Sequence, residues 1–391
     1  MTPRAIVVYC GVLMSISSFT VDITLPSFPD IVAELDTRYA LVQWTIAIYM
    51  LAAGIAQLVW GPASDRYGRR VTLACGLAVY LAGCLLGALA PTIELLLAAR
   101  ALQGLGAAAA IVLARTILRD LFSGQELGRN LALASAIFAV GPILAPLVGA
   151  AIATPFGWRA IYGFLAIFGI GLIAALWRMP ETIGEKVPEA TRPAVLARRF
   201  KRLFIHPQSR RFLIVSAVIM SSMLMILSAL PRLYEANFAV TGPAFAMFFA
   251  LHGIGIIIGQ VLNRRIIPVL GIVRAMLLAN AILIVAALLV LVVTFSGLVS
   301  APLLTAIMIL FATSYLVVFS NGAAMVLEPH GDIAGFAASL YGFVSQIGGA
   351  AITLVTVVLV GDSLVAFGLA LLAICGISAI MVFDWQRRAA A

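Results

Sequence analysis

Apolar segments of about 20 residues recur along almost the whole chain, and no other feature restricts its fold so tightly. A helix of about that length crosses the hydrocarbon core of a bilayer with its backbone groups paired internally. On that criterion the sequence predicts twelve spans. Six lie at 5–26, 41–61, 71–90, 95–117, 128–153 and 158–177, and six more at 212–232, 243–263, 271–294, 299–321, 334–360 and 363–384. Of the 391 residues, 63% are hydrophobic and 10% charged, too little polar surface to cover a soluble globule. The expected fold class is therefore all-α integral membrane, with twelve transmembrane helices. A polar stretch from Arg178 to Arg211 interrupts the pattern once. It divides the chain into an N-terminal six-helix bundle at 1–178, a linker at 179–209 and a C-terminal six-helix bundle at 210–391.

The net charge of +9 invites a nucleic-acid reading, but the distribution argues against one. Counted by loop, 20 Lys and Arg fall on the side of the linker, three on the other side (Arg38, Arg159, Arg232), and Arg100 and Arg115 within span four. Basic loops stay in the cytoplasm, so the linker and both termini are expected there. The partners implied are a lipid bilayer, a small molecule and protons, with no nucleic acid, and a monomer is expected. The first apolar stretch has no small-residue cleavage site, runs into Asp22 and Pro26 and is followed by further spans, so it reads as a span rather than a cleaved signal peptide. Cys10, Cys75, Cys84 and Cys375 lack paired spacing and read as small core residues. His206, His252 and His330 are far apart in sequence, and no acid cluster occurs within the spans. Neither an enzyme, a metal site nor a cofactor is expected, and no Gly-x-x-x-x-Gly-Lys-Ser/Thr loop points to ATP.

The densest run of turn formers and charge in the first half is Gly61-Pro-Ala-Ser-Asp65-Arg66-Tyr-Gly68-Arg69-Arg70. Gly61 and Pro62 can end the preceding helix, Gly68 frees the backbone for a reversal, and the arginines hold the loop in the cytoplasm. Asp65 either pairs with Arg66 or Arg69, or accepts hydrogen bonds from the N-terminus of another helix. Gly-x-x-x-Asp-Arg-x-Gly-Arg-Arg after a second span resembles the loop 2–3 signature of the major facilitator superfamily of secondary transporters, with Ala63 where Leu is usual. Gly259-x-x-x-Asn263-Arg264, 198 residues later, is a fainter echo of the same pattern. Parallel repeats are expected of a transporter whose halves rock about a central site.

Two ionisable residues stand out inside apolar spans. Asp22 precedes Leu25-Pro26, and its desolvation requires protonation, a partner or a bound cation, unless a kink at Pro26 hydrates it near the outer interface. Arg100 lies in Leu96-x-x-x-Arg100-x-x-Gln103-Gly104-x-Gly106, where small residues permit close helix approach. It must bond to carbonyls or a carboxylate, either as a structural group or as a bias on a nearby acid. This segment resembles the span-four motif of the proton-coupled antiporter branch. Span five carries Gly141-Pro142-x-x-Ala145-Pro146-x-x-Gly149-Ala150, similar to that branch's Gly-x-x-x-Gly-Pro-x-x-Gly-Gly with two glycines replaced. Its prolines and small residues suit a moving interface or any membrane bundle.

The resemblance implies an inner latch, with Asp65 against the start of span eleven at Ala334–Ser339, and Arg69 against Asp120. Phe19-Thr-Val-Asp22-Ile-Thr-Leu-Pro26-Ser-Phe-Pro29, Gln43 with Tyr49 and Gln57, and Tyr341-Gly342-Phe343 look like the Bcr/CflA group of multidrug efflux proteins. This implies a proton-coupled antiporter of the bacterial inner membrane that exports small amphipathic toxic compounds. Asp22 and Arg100 are the candidate coupling pair, with Asp22, Tyr49, Tyr234, Tyr315, Tyr341 and Gln346 at the substrate. Glu235, His252 and Asn321 either line a cavity or pack helices. The competing reading within transport is a proton symporter or uniporter for a small metabolite.

Overall fold

The computed structural model describes residues 1–122, 124–189 and 191–390. Its helices are α1 (Pro3–Asp22), α2 (Phe28–Glu34), α3 (Tyr39–Tyr67), α4 (Arg69–Ala88), α5 (Ile93–Leu121), α6 (Gly124–Phe156) and α7 (Arg159–Leu176), followed by α8 (Pro193–Ile205) in the linker. The second series is α9 (Pro207–Phe238), α10 (Gly242–Leu270), α11 (Ile272–Phe295), α12 (Ala301–Leu327), α13 (Ala334–Val360) and α14 (Leu364–Ala390). Among the described residues there is no strand, and eleven helical segments are long and apolar enough to cross a membrane. The twelfth expected span is α6, whose apolar part runs over Val140–Phe156.

Local signals explain several starts. Thr2 caps α1 by accepting from the Ala5 N–H at 3.3 Å with Pro3 next to it, and Thr92 caps α5 by accepting from the Leu95 N–H at 3.4 Å. Both use a side-chain oxygen on a helix's unpaired N–H groups. Long helices with one face inside leave the other apolar face outward, as at Val285, Val292, Leu369, Ile380 and Phe383 on α11 and α14. In a chain with this many spans, that surface faces lipid.

Three expected boundaries move. α3 does not end at Gly61-Pro62 but continues to Tyr67 with Pro62 inside it, so Asp65 sits in a helix's last turn rather than in a loop. Inside an apolar bundle the backbone is better paired by continuing the helix, and packing against α5 and α13 holds it. Gly68 makes the stop, with φ 104° and ψ 159°, a conformation open essentially to glycine alone. At the other end of the first span, α1 stops at Asp22 and the chain re-forms as a short 3₁₀ turn, Leu25–Ser27, before α2. The linker is partly helical, and α9 begins five residues before the expected 212.

The first six long helices pack together around α5, and the last six around α9 and α12. The sets meet chiefly at two helix pairs, α3 with α13 and α6 with α10, with smaller contacts of α3 and α2 with α9. Glycines permit the closest approaches. A Cβ at Gly104 would collide with the Tyr49 carbonyl, and one at Gly106 with the Tyr80 backbone nitrogen, so α5 lies directly against α3 and α4. Of the cysteines, Cys10, Cys84 and Cys375 are buried as expected, but Cys75 is exposed on the outer face of α4.

Candidate functional site

The ionisable and polar candidates fall at two levels of the bundle. The first is the end where the linker lies. Here Arg69, only 5% exposed, follows the Gly68 reversal and is directed back onto α3 and across to α5. It donates to the Asp65 carboxylate at 2.6 Å, the Ser64 hydroxyl at 2.7 Å and the Asp120 carboxylate at 2.9 Å. One guanidinium thus ties the last turn of α3 to the last turn of α5, in charge-assisted bonds that fix orientation as well as charge.

The start of the linker closes over this cluster. Glu181 accepts the N–H groups of Arg69 at 2.9 Å and Arg70 at 3.2 Å, so its carboxylate sits on the N-terminus of α4. Partial burial acts to raise the Glu181 carboxyl, but the backbone N–H groups of Arg69, Arg70, Ile183 and Thr182 outweigh it and hold the group below the usual carboxylate range. Thr182 donates to Asp120 at 3.2 Å, the Val187 N–H donates to the Asp65 carbonyl at 2.9 Å, and Arg66 donates to the Thr191 hydroxyl at 2.9 Å. Arg70 reaches the Trp177 carbonyl at 3.4 Å. Sequence reasoning missed Glu181 and Thr182. The signal available was an acid placed directly after a span in Met179-Pro180-Glu181-Thr182, at the head of a segment in which bases outnumber acids.

The expected approach of Asp65 to Ala334–Ser339 falls partly on side chains outside those described. The Asp65 carboxylate bonds to Arg69, and the approach of α3 to α13 at this level is made by Gly61, where a Cβ would lie 3.7 Å from the Ser339 hydroxyl. Near the same end, His206 and His330 lie together despite their separation in sequence. Their rings are 5.2 Å apart, and the Ser209 hydroxyl is shared between them.

The second level lies farther from the linker, toward the other ends of α1 and α5. Asp22 ends α1 and is 3% exposed. Arg100 on α5 is fully buried and donates to the Thr20 carbonyl at 3.2 Å, the Gln103 side-chain oxygen at 3.0 Å and the Thr24 hydroxyl at 3.4 Å. Its guanidinium also lies over the rings of Tyr49 and Tyr162, at 5.3 and 5.9 Å. Among the described residues no ion pair joins Arg100 to Asp22. The arginine instead bonds to the Thr20 carbonyl and the Thr24 hydroxyl, on either side of the aspartate, and so holds the end of α1. In the other half, Tyr315 of α12 is within electrostatic reach of the carboxylate.

The remaining candidates spread along the inter-half contact. Gln346 on α13 accepts from Gln57 on α3 at 2.9 Å, and a Cβ at the neighbouring Gly342 would collide with the Gln57 carboxamide. Tyr341 donates to the Phe319 carbonyl at 2.5 Å, within the second half. Tyr234 lies apart from the others, bonded to Thr305 at 2.6 Å between α9 and α12. In α6, Gly149 packs on the Ile23 carbonyl next to Asp22, and a Cβ at Gly141 would lie 3.0 Å from the Ser18 hydroxyl, so these glycines seat α6 against the end of α1. Pro142 and Pro146 lie inside that helix. Farther from the linker, Gln43 on α3 donates to the Ser228 carbonyl on α9 at 2.8 Å.

The Major Facilitator Superfamily profile matches residues 10–353. An uncharacterised MFS-type transporter of Bacillus subtilis, YdgK, is 30% identical over 88% of this chain and 86% of its own length. A bicyclomycin resistance protein homolog of Haemophilus influenzae is 28% identical over 85% of this chain and 84% of its own. In architecture the chain is similar to a crystal structure of the peptide transporter POT, with a TM-score of 0.78 and 14% identity over 99% of this chain and 94% of that one. The paired helix sets, the arginine-centred reversal between α3 and α4 and these similarities agree: the chain belongs to the Major Facilitator Superfamily, in its Bcr/CflA drug-efflux group.

Proposed function

We propose that this transporter exports small amphipathic drugs from the cytoplasm in exchange for protons, with Asp22 as the coupling carboxylate. The observation that carries the reading is the buried Arg100, which bonds on either side of Asp22 without pairing with its carboxylate, while Tyr315 of the opposite half lies within electrostatic reach. A carboxylate at such a position is shared between the halves and changes surroundings when they rock. Its occupancy by a proton or by a substrate can then be mutually exclusive, which is what antiport requires. The bicyclomycin resistance homolog supports a drug as the cargo.

The linker end is assigned to the cytoplasm on the 20-to-3 distribution of basic residues, which places both termini inside the cell. Residues 1–178 and 210–391 are the two rocking bodies, joined by the 179–209 linker. The Asp65–Arg69–Asp120 cluster is the inner latch, and the outward-facing state is the one it stabilises. The protein works as a monomer in the bacterial inner membrane and draws on the proton gradient, in which the potential contributes about 2.3 kcal/mol per charge per 100 mV.

Two linked measurements test the coupling. An efflux-deficient bacterium expressing the wild type is expected to tolerate more bicyclomycin than one expressing Asp22→Asn. Purified wild type in weak buffer is expected to release protons on binding bicyclomycin, and Asp22→Asn to release none. Equal proton release by the two proteins places the coupling site elsewhere. Net uptake of a metabolite by the wild type, with no drug phenotype, favours a symporter.

A further inference from the structure

His252 on α10 is 2% exposed, and neither ring nitrogen completes a hydrogen bond, although the backbone of Met308 approaches the ring. Buried polar groups in folded proteins are overwhelmingly paired, so a buried imidazole left open on both nitrogens calls for a functional account. Its orientation is fixed. Phe249 stacks on it with centroids 5.7 Å apart and planes at 19°.

The imidazole lines a cavity of about 10 Å³, walled also by Tyr234, Phe245, Phe248, Thr305 and Met308. That is about the volume one water molecule needs, and a buried water needs two to four polar partners, roughly what this wall offers. From the cavity a hydroxyl chain leads toward the end of the bundle away from the linker. Tyr234 and Thr305 are 2.6 Å apart, and Thr305 donates to the carbonyl of Ala301, the first residue of α12, at 2.8 Å. The site also adjoins the contact between the two helix sets. A Cβ on Gly253, the next residue, would collide with Ile143 of α6, while Gly255 and Gly259 lie against the α12 backbone at Ile309 and Thr313.

The cavity wall itself carries no charged residue. Of the elements around it, α9 supplies Tyr234 on the wall, with Arg232 and Glu235 beside it in sequence, and α12 supplies Tyr315 two turns beyond Met308. The 3₁₀ turn after α1 touches α10, and Asp22, the last residue of α1, has Tyr315 as an electrostatic neighbour. Glu126 and Arg129 of α6, Arg274 of α11, and Arg264 and Arg265 of α10 all lie toward the linker ends of their helices. A charge gained at His252 therefore has no fixed counter-ion on the wall, and its neighbours are hydroxyls that can pass a proton on.

We propose that His252 is a proton-binding site in the C-terminal half, exchanging its proton with the outer face through one water in this cavity and the Tyr234–Thr305 hydroxyls. The proposal rests on the proton-coupled reading above and adds a second carrier to Asp22. In the step itself a ring nitrogen accepts a proton from the cavity water, the Thr305 or Tyr234 hydroxyl returns one to that water, and the outer aqueous phase restores the hydroxyl. The net change is one proton on the imidazole. Histidine suits the role because the neutral imidazole carries no charge at rest and can accept one proton on a ring nitrogen.

The test uses the full-length protein in lipid bilayers with ¹⁵N-labelled histidine, where the His252 signals are assigned by their loss in His252→Gln. Conversion of the ring from neutral to imidazolium is expected on titration from about pH 8 down to about pH 4, a range that extends below histidine's ordinary one because the buried ring faces no counter-ion. A ring that stays neutral throughout overturns the proposal. In weak buffer, His252→Gln is expected to release fewer protons than wild type on binding bicyclomycin, and equal release also overturns it. Should the wild type release none, proton-coupled drug export itself falls, and the histidine titration alone decides the His252 site.

Discussion

The reversals between α3 and α4 and between α10 and α11 are built on one backbone and two chemistries. Each turns on a glycine in a conformation closed to other residues, Gly68 at φ 104°, ψ 159° and Gly271 at φ 78°, ψ 164°. Each is preceded by a polar residue linked to the helix two elements on, through Arg69 in the first and directly in the second. In the first reversal, Asp65 and Asp120 share the buried Arg69, with Glu181 capping the following helix. In the second, Asn263 and Asn321 exchange hydrogen bonds of 3.2 and 3.1 Å without any charge. The same hairpin geometry thus survives with neutral amides, so the ionic version is not required to make the turn. Its charges serve something that the second half does not do, which fits a latch that must open and close.

The comparison breaks or holds most visibly at the two cross-links. Arg69→Ala leaves two carboxylates facing each other without a cation. It is expected to destabilise the protein by roughly 2–3 kcal/mol, below the roughly 3–5 kcal/mol of a fully buried pair because Asp65 and Asp120 keep some contact with solvent. Asn263→Ala removes one neutral partner and is expected to cost about 1–2 kcal/mol, most of which Asn263→Ala/Asn321→Ala restores because both polar groups are then gone. Thermal unfolding in detergent ranks the three. If Asn263→Ala is as damaging as Arg69→Ala and also abolishes drug export, the two reversals are functionally alike and the contrast fails.

Much of this was readable before any coordinates. The apolar segments carry the helix count because a bilayer admits few alternatives, and Gly61 to Arg70 carries the reversal because its glycine, acid and arginines have a fixed spacing. What could not be read was direction. The sequence leaves Arg100 to bond to carbonyls or a carboxylate, and only the packing of α5 against α1 decides that it takes the Thr20 carbonyl and the Thr24 hydroxyl rather than Asp22. Glu181 was hidden for a similar reason. Its partners are backbone N–H groups more than a hundred residues earlier, which no side-chain pattern announces. Tyr234 reads from the sequence as a substrate residue alongside Tyr315, Tyr341 and Gln346, and only the packing of α9 on α12 directs its hydroxyl to Thr305 within the second half.

The glycines sharpen the comparison at intermediate cost. Both Gly68→Ala and Gly271→Ala place a side chain in a conformation worth about 1–3 kcal/mol of backbone strain. A Cβ at Gly271 meets nothing within 4 Å, whereas at Gly68 it lies 2.7 Å from the Glu181 carboxylate. Gly68→Ala is therefore expected to cost more than Gly271→Ala and to push the linker strap off α4. Protease sensitivity of the 181–191 segment reports the second effect. Equal sensitivity in the two variants means that Glu181 yields without loss and the strap is not seated as described.

The smallest expected effect is the most specific to the first reversal. Glu181 is held below the usual carboxylate range by backbone N–H groups that only the folded chain provides. A carboxyl whose folded value is depressed binds its proton more readily in the unfolded chain, so its contribution is fully present above the unfolded value, ordinarily 4.5 for Glu, and is lost as pH falls through the folded value. Glu181→Gln cannot ionise, so its stability lacks this component at every pH. The gap between wild type and Glu181→Gln is expected to be about 1 kcal/mol or less at pH 7, because solvent screens a partly exposed group, and to close on acidification below about pH 4.5. Unfolding midpoints of both proteins across pH 3.5 to 7 measure it. A gap that stays constant to the acid end means that the carboxamide fails for reasons of shape rather than charge. A gap that widens reverses the sign of the argument and removes Glu181 from the cap of α4.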